Sequence, residues 1–375
     1  MTNTIDLCVD WVKVGESAGG TFDAVIRNLA MGEWSLTADT ASVTLQGAYT
    51  LADVNTIRVV EGRTINFAGY VAPVASGVGG LDIWADTAGE HFTLSGPDLW
   101  SIPASRVAYP TPSTDPAWAT SFDERTGYAS SVAAGYIRDN LGASAIATRQ
   151  WPGVTVIDRG QGIIGAWSAR LQPLDDLVQR ICREGGITCR LSIDYAGAPK
   201  FDLIAPRDRS ATTVLSDQGD LVNVHRRRTR AKANYIISGG QGLLNARTFV
   251  TAGTATGAAR KELFSDQAVL STPTELQQSA NANLAANGAD WSIHAELATT
   301  AAQTLVLGTD YDLGDTIAVE IRNVRYPVVV SAVRLQVTPE RQIMTPILGD
   351  AAPDLLGGLI RDVANLQSRF DTTIA

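Results

Sequence analysis

Two blocks of alternating polar and apolar residues, separated by a block with helical spacing, limit what this chain can fold into. Residues 1–104 are short runs with a two-residue period, divided by Gly, Asp and Asn at turn positions. The clearest pair is VVEGRTINFAGYV at 59–71, in which a turn at Glu61-Gly62 separates two apolar strands. Short strands at this spacing predict a β-sandwich or a β-barrel.

The middle of the chain, residues 105–215, has a different pattern. A proline-rich stretch at 105–128 has little periodicity and predicts a boundary or a long surface loop. Apolar residues then recur at helical spacing in 129–141 and 173–184, and an alternating pair of strands follows at 187–208. We therefore predict an α+β domain inserted between two β domains.

Alternation returns in residues 216–352, interrupted by one helical segment near 273–287. The last segment, 353–375, differs because its apolar residues are spaced as in a coiled-coil seam of just over two heptads. The seam residues are Leu356, Leu359, Val363, Leu366 and Phe370. The same spacing fits a helix packed on its own domain, and the sequence leaves both interpretations open.

The charge of the chain argues against a dedicated nucleic-acid binder. There are 39 acidic and 30 basic residues, a net charge of −9, whereas affinity for phosphates comes mainly from a basic surface. Only four of the basic residues are lysines, a skew that is typical of a high-GC genome. Cys8, Cys182 and Cys189 lack CxxC spacing and are odd in number, which favours buried thiols. No segment has the pattern of a signal peptide or a membrane span.

No pattern of residues indicates catalysis or a metal site. His91, His225 and His294 lie in separate segments without metal-binding spacing, and no GxSxG surrounds a serine. The stretches SGGQG at 238–242 and DRGQG at 158–162 do not open a helix as a phosphate loop does, and we expect both to be hairpin turns. We therefore predict a protein that is not an enzyme, with no catalytic residue, no metal and no cofactor.

The most basic stretch is NVHRRRTRAK at 223–232, which has strand periodicity. Its basic side chains are those of Arg226, Arg227, Arg228, Arg230 and Lys232. In an acidic protein we expect them to contact a neighbouring chain or another protein rather than to read nucleic acid. A solvated strand is the alternative.

The second β domain contains a series of short motifs: a basic residue, Ala-Asn-Tyr, an apolar strand, a glycine-rich turn and an arginine, and later Leu-Gly-Asp. In this chain they are Arg230, Ala233, Asn234, Tyr235, Gly239, Gly240, Gly242, Arg247, Leu313, Gly314 and Asp315. With them, residues 220–350, and more loosely 20–100, resemble the tail hub proteins (baseplate hub or tail-tip minor tail proteins) of long-tailed siphophages. The resemblance is to those of actinobacteria in particular.

The resemblance implies a fold and an assembly. Such hubs are trimers with two β-barrel domains similar to the tail-tube fold. Residues 1–104 and 216–352 would be these barrels, 105–215 an α+β lobe and 353–375 a C-terminal coiled-coil-like helix. Three chains would present six barrels and adapt the six-fold tube to a three-fold tip, and the terminal seams would bury one another on the axis.

The resemblance also implies partners and a location. The hub, made in the cytoplasm of a bacterial host, would cap the distal tube at the tail tip of the virion. It would contact the distal tail protein or tail tube, the tape measure protein and a central fibre, and open so that DNA passes in transit. No membrane is involved.

Two other classes stay open. A tail-associated cell-wall hydrolase would need an inward-facing carboxylate pair or a zinc triad. A carbohydrate-binding adsorption module would use tryptophans as stacking platforms, but the eight tryptophans are spread through all three domains, which favours core positions.

Overall fold

The computed structural model describes residues 4–9, 12–54, 56–60, 75–76, 80–111, 122–193, 198–242, 246–268, 270, 272–288, 290–298, 304–340 and 342–349. The strands are β1 (Thr4–Val9), β2 (Val12–Ser17), β3 (Thr21–Arg27), β4 (Glu33–Asp39), β5 (Val43–Leu45), β6 (Thr56–Val60), β7 (Ala75–Ser76), β8 (Gly80–Ala85), β9 (Glu90–Pro97), β10 (Asp123–Tyr128), β11 (Thr155–Ile157), β12 (Ile164–Ala169), β13 (Thr188–Ile193), β14 (Pro199–Ile204), β15 (Val214–Ser216), β16 (Leu221–Thr229), β17 (Tyr235–Gly239), β18 (Phe249–Ala252), β19 (Glu262–Asp266), β20 (Asp290–Leu297), β21 (Thr316–Ile321), β22 (Val324–Val337) and β23 (Gln342–Leu348). The α-helices are α1 (Ser101–Ala104), α2 (Ala129–Leu141), α3 (Leu174–Gly185) and α4 (Pro273–Ala286).

Strands from both β segments of the sequence form one large sheet. Its order is β16-β20-β23-β22-β3-β4-β9-β8, with β21 paired to β22 and β15 paired to β21. The two segments join where β22 pairs antiparallel with β3, with Ala332 opposite Arg27. Across this junction Arg334 Nε donates to Asp23 Oδ1 at 2.9 Å, although the two residues are 311 positions apart.

One hydrophobic core serves both β segments. Phe22 and Leu36 from the first segment pack in the same cluster as Val330 and Leu335 from the second. A five-stranded sheet of order β5-β2-β1-β6-β7 adds Leu7 to this cluster. Because alternate strand residues point to one face, the period-2 pattern of the sequence gives each sheet one apolar side. The core therefore crosses from one β segment to the other.

The segment between them forms an α+β unit with a core of its own. Helix α2 buries Tyr136 and Ile137 against α3, and the strands β11, β14 and β13 form a small sheet that contributes Phe201. Helix α3 begins after Pro173 and ends before Gly186. The two predicted helices and the predicted β13–β14 hairpin are confirmed.

A third, smaller unit lies within the second β segment. Strands β18, β17 and β19 form a three-stranded sheet, in which β18 is antiparallel and β19 parallel to β17. Helix α4, predicted from the sequence, packs on one face, where Ala280 meets Ile236 and Ala252. Thr272 caps the helix by accepting a hydrogen bond from Glu275 N at 3.2 Å.

The hairpin predictions for the two glycine-rich stretches have different outcomes. The one at 238–242 ends β17 and opens the connection to the antiparallel β18, so the predicted hairpin is confirmed. The prediction for 158–162 is wrong, because β11 pairs with β14 whereas β12 pairs with β10. The loop instead folds onto the start of α2, since Asp158 Oδ1 accepts from Ser130 Oγ at 2.7 Å and from Gly160 N at 3.0 Å.

The fold class, mainly β with an α+β insert, is confirmed. Cys8, Cys182 and Cys189 are buried free thiols, as predicted. The turn at Glu61-Gly62 and the C-terminal seam of 353–375 lie outside the described residues. The division into two tube-like barrels stays a prediction.

Candidate assembly interface

The basic residues singled out in the sequence lie on and beside an edge strand. Strand β16 pairs with β20 on one side, and within the described residues no strand pairs with its other side. Exposed basic or titratable side chains run along it and just beyond it: His225, Arg226, Arg227, Arg228, Arg230 and Lys232. A nine-residue strand with an open edge is a template for another chain, and basic side chains restrict which chains can pair with it.

The alternation of β16 distributes these charges to both faces of the sheet. Arg226 is opposite the buried Ile293, whereas Arg227 is opposite Ser292, so the two arginines project to opposite sides. Arg226 Nη1 donates to Tyr326 Oη at 2.8 Å, and its guanidinium lies 4.5 Å from the centre of that ring. This contact holds the Arg226 side chain beside Tyr326, at the margin of the core. The basic side chains of β16 therefore lie on both faces of the sheet at this edge.

The Leu-Gly-Asp turn fastens the α+β insert to the large sheet. Asp315 is 1% exposed and accepts hydrogen bonds from Arg207 N and from Arg209 Nε, both at 2.8 Å. Gly314 has a φ of +84°, a conformation that glycine adopts without strain. The turn thus places the buried Asp315 carboxylate next to residues 207–209, which connect the insert to the second β segment.

A second buried carboxylate reinforces the same junction. Asp312 pairs with Arg190 of β13 and with Arg207, whose Nη2 lies 3.4 Å from Asp312 Oδ2. Burial raises the pKa of Asp312, although both arginines act in the opposite direction. Because a buried charge without its partner costs several kcal/mol, this network fixes the insert relative to the sheet.

A cleft lies beside this junction, between β3, the segment 98–100 that precedes α1, and β13. Asp98 on its wall is 7% exposed, and its Oδ1 accepts from Trp100 N at 2.9 Å. Burial raises the pKa of Asp98 to about 6, although hydrogen bonds from Gly32 and Trp100 and the charge of Arg27 lower it. Asp98 is the one carboxylate among the described residues that line the cleft, so these walls do not offer the pair that a glycoside hydrolase uses.

Two motif residues, Tyr235 and Gly239, are the first and last residues of β17 in the three-stranded sheet, and Arg247 packs against it. Arg247 lies across it, donating from Nη2 to Gly239 O at 2.8 Å and pairing with Asp266. Its guanidinium lies 5.8 Å and 5.5 Å from the rings of Phe249 and Phe264. A Cβ on Gly239 would lie 2.7 Å from Arg247 Nε, so glycine leaves the room that the arginine fills.

Helix α4 covers the edge of β12, which pairs only with β10 in the described part of the chain. Glu275 Oε1 and Oε2 accept from Ser168 N and Ser168 Oγ, both at 2.8 Å, and Gln278 Oε1 accepts from Ala166 N at 3.0 Å. Arg180 of α3 lies 3.1 Å from Glu275. Burial raises the pKa of Glu275, while Arg180 and Ser168 lower it. Side chains of α4 thus satisfy backbone groups at this edge of β12.

The other end of the large sheet is the β8–β9 hairpin, which His91 holds to β4. His91 Nε2 donates to Asp86 Oδ1 at 3.0 Å, and Nδ1 donates to Asp39 Oδ1. The pKa of His91 is raised, first by the hydrogen bond to Asp86 and also by Asp39. Trp84, which is 38% exposed, lies 5.6 Å from the imidazole ring.

A profile of the Siphovirus ReqiPepy6 Gp37-like protein family matches residues 20–350. The chain belongs to this family. No curated protein matches the sequence significantly.

Solved structures share the fold at low sequence identity. The 43 kDa tail protein of prophage MuSo2 from Shewanella oneidensis is similar with a TM-score of 0.57 and 10% identity, over 93% of this chain and 98% of that chain. A tail protein from Neisseria meningitidis MC58 gives a TM-score of 0.53 and 10% identity over 93% and 96%. Prophage tail protein gp18 from Listeria monocytogenes EGD-e gives 0.50 and 10% over 98% and 100%. The chain therefore combines a siphovirus family with the fold of phage tail proteins, which confirms the resemblance seen in the sequence.

The structure separates the residues that the sequence placed together. Tyr235 and Gly239 lie in β17 of the three-stranded sheet and Arg247 packs against it. The Leu-Gly-Asp turn lies at the insert, and the basic residues lie on β16 and just beyond it. The seam residues Leu356, Leu359, Val363, Leu366 and Phe370 are outside the described residues. Within the described ranges, no group of three or more His, Cys, Asp and Glu side chains is arranged to hold a metal ion, and none of the helices has the length and apolar character that crossing a bilayer requires.

Sequence reasoning missed two groups at these surfaces. The contact of His91 with Asp39 depends on the pairing of β4 with β9, which the sequence does not show. The contact with Asp86 could have been predicted, because an aspartate five residues before a histidine across a short turn lies close to it. Asp98 gives no local signal, because its burial depends on β13 and on the Leu-Gly-Asp turn. Trp34, Trp100 and Trp167 are buried, which confirms core positions for them, whereas the prediction is wrong for Trp84, which lies on the β8 edge and is 38% exposed.

Proposed function

We propose that the chain is a structural hub of a siphophage tail tip, a homotrimer that caps the distal tail tube. The match to a siphovirus family over residues 20–350, on a chain with the fold of phage tail proteins, is the observation that supports this most directly. Three copies, each with two tube-like β segments and an outer α+β lobe, would adapt six-fold to three-fold symmetry. The hub acts as a scaffold and not as an enzyme.

The partners of this hub are other tail proteins and its own copies. Its two β segments contact the distal tail protein or tail tube and the tape measure protein, and its three-fold end anchors the central fibre. The hub opens when DNA leaves the virion, and the net charge of −9 lets DNA pass because few phosphates would be held. It is a component of the virion, at the tail tip, after synthesis in the host cytoplasm.

Two surfaces join the copies in this proposal. The basic group of Arg226, Arg227, Arg228, Arg230 and Lys232 contacts a neighbouring subunit or partner, supported by its place on an open edge strand. The seam of 353–375 forms a three-stranded coiled coil on the axis, supported by its heptad spacing.

Light scattering on the purified chain, with and without residues 354–375, tests the proposal. We expect a full-length trimer that falls to monomer on truncation. A trimer that survives truncation supports the hub and removes the seam from it. A full-length chain that stays monomeric at high concentration and forms no rings in electron micrographs contradicts the hub. Leu359→Asp with Leu366→Asp, which puts charge into the seam, should have the same effect as the truncation. Gln367→Asp with Ser368→Asp, at positions between seam residues, is the matched control and should leave the trimer intact.

A further inference from the structure

The two ends of the large sheet carry opposite charge. At one end β16 is surrounded by the exposed basic side chains described above. At the other end β8 pairs with β9 alone among the described strands, and exposed acidic side chains lie on and around this hairpin: Asp39, Asp82, Asp86 and Glu90. A single sheet thus has a basic edge and an acidic edge in an otherwise acidic protein.

The acidic edge also carries apolar surface. Ile83 is 51% exposed and Trp84 is 38% exposed, and as neighbours on β8 they project to opposite faces of the sheet. Tryptophan and arginine are the side chains enriched at the centres of protein interfaces, where an arginine can also stack on an indole. An edge strand with tryptophan and carboxylates is therefore suited to a basic partner strand.

The structure distinguishes these two edges from one that is already satisfied. Strand β12 also lies at the end of its sheet, but Glu275 and Gln278 of α4 accept hydrogen bonds from its backbone. Among the described strands, none pairs with the outer side of β8 or of β16. Among the described strands, β8 and β16 are the two ends of the long path of the large sheet, and these two ends carry complementary charge.

We propose that β16 of one copy binds the β8–β9 hairpin of a second copy of the same chain. The charge of each edge fits the other, and β8 of six residues is shorter than β16 of nine, so the full length of β8 has a strand to lie against. A contact between two different surfaces of identical chains is head-to-tail, and it closes into a ring when the rotation allows. The inference rests on the proposed hub and names the subunit contact within it.

Charge reversal with rescue tests this contact. The basic edge is reversed by Arg227→Glu with Arg228→Glu, which spares Arg226 and its contact with Tyr326. The acidic edge is reversed by Asp82→Arg with Glu90→Arg, which spares the Asp86 carboxylate that binds His91. Sedimentation or light scattering over a dilution series gives the concentration at which half of the oligomer dissociates.

Each reversal alone is expected to raise this concentration by about ten-fold or more, because like charges then face each other. The chain with both reversals is expected to regain assembly, which a misfolded chain would not do. Glu124→Arg with Asp176→Arg, two exposed acidic residues on the insert, makes the same charge change as the acidic-edge reversal but away from both edges, and it should leave assembly unchanged.

The outcomes separate this contact from the hub itself. A trimer that no reversal weakens overturns the contact and leaves the hub standing. If the basic-edge reversal weakens assembly and the double reversal does not restore it, β16 binds a different acidic surface. This outcome also overturns the contact with β8. A chain that never self-associates overturns both.

Cross-linking gives a direct second readout. Ala85→Cys is combined in turn with Val222→Cys and with Arg230→Cys, which lie at the two ends of β16, because β8 can run in either direction along it. One of the two pairs, joined by a short bis-maleimide, should produce covalent dimers and trimers of the full chain. The native thiols do not interfere, because all three are buried. Cross-linking confined within single chains would contradict the contact.

Discussion

Replacing Asp98 with asparagine is predicted to change how the stability of the protein depends on pH. The carboxyl group is 7% exposed on the wall of the cleft beside the insert, and its Oδ1 accepts a hydrogen bond from Trp100 N at 2.9 Å. Asparagine has the same size and keeps an acceptor for that N–H, but it has no proton to release. The variant therefore isolates the effect of ionising this buried group.

The size of the effect follows from the pKa of Asp98. Burial raises this pKa from 3.8 to about 6, so the folded chain holds the proton more tightly than the unfolded chain. The stabilisation is complete below the unfolded pKa and is lost as the pH rises through the folded pKa. A shift of about 2 pKa units corresponds to about 3 kcal/mol, and roughly half of it is lost between about pH 5 and about pH 8.

Urea unfolding at a series of pH values measures this term. The free energy of unfolding of Asp98→Asn, relative to that of the unaltered chain, should rise by about 1–2 kcal/mol from about pH 5 to about pH 8. Glu124→Gln, at an exposed carboxylate on β10, is the matched control. A difference between Asp98→Asn and the unaltered chain that does not vary with pH would refute the argument, whatever its size.

Three single contacts give shorter tests. Gly239→Ala would place a Cβ 2.7 Å from Arg247 Nε, so we expect the free energy of unfolding to fall, and an unchanged melting temperature would contradict this. The cost should be about 1–3 kcal/mol. His91 has a pKa raised above 6.5, so below that pH its imidazolium donates to both carboxylates, and one of the two hydrogen bonds is lost as the pH rises through the raised pKa. Hydrogen exchange of the β8–β9 amides, corrected for intrinsic rates, should therefore speed up with pH in the unaltered chain and not in His91→Gln. Glu275→Gln leaves Arg180 without its buried anion and should cost about 2–3 kcal/mol in urea unfolding, and a neutral result would exclude a role for this pair.

The elements with local signals could be predicted from the sequence. Helices α2, α3 and α4 have apolar spacing, start signals or stop signals within their own residues, and the β13–β14 hairpin joins strands that are close in the chain. The pairing of β3 with β22 could not be predicted, because it joins residues about three hundred positions apart and each strand alternates in the same way as its neighbours. For the same reason the sequence separates two β segments that share one core.

Part of the candidate interface could be predicted from the sequence. The basic residues were predicted to be a surface, and their strand was predicted, but a sequence does not show which strands end a sheet. The loop at 158–162 shows the same limit, since glycine-rich composition is shared by hairpin turns and by loops that connect two sheets. Charge at β8 carried no signal of its own, because its importance depends on β16 lying at the opposite end of the sheet.

The positions of the motif residues suggest why they carry no catalytic pattern. Gly239 and Arg247 lock the three-stranded sheet, and Gly314 with Asp315 locks the insert onto the large sheet. At both junctions a glycine leaves the room or the backbone conformation that a charged side chain needs to reach its partners. A scaffold that must keep several units in fixed relation during assembly needs rigid junctions of this kind, and it needs open edges elsewhere for its neighbours. The junctions lie at the motifs, and β16 and β8 have no neighbour on their outer side among the described strands, as the proposed hub requires of a chain that binds its own copies.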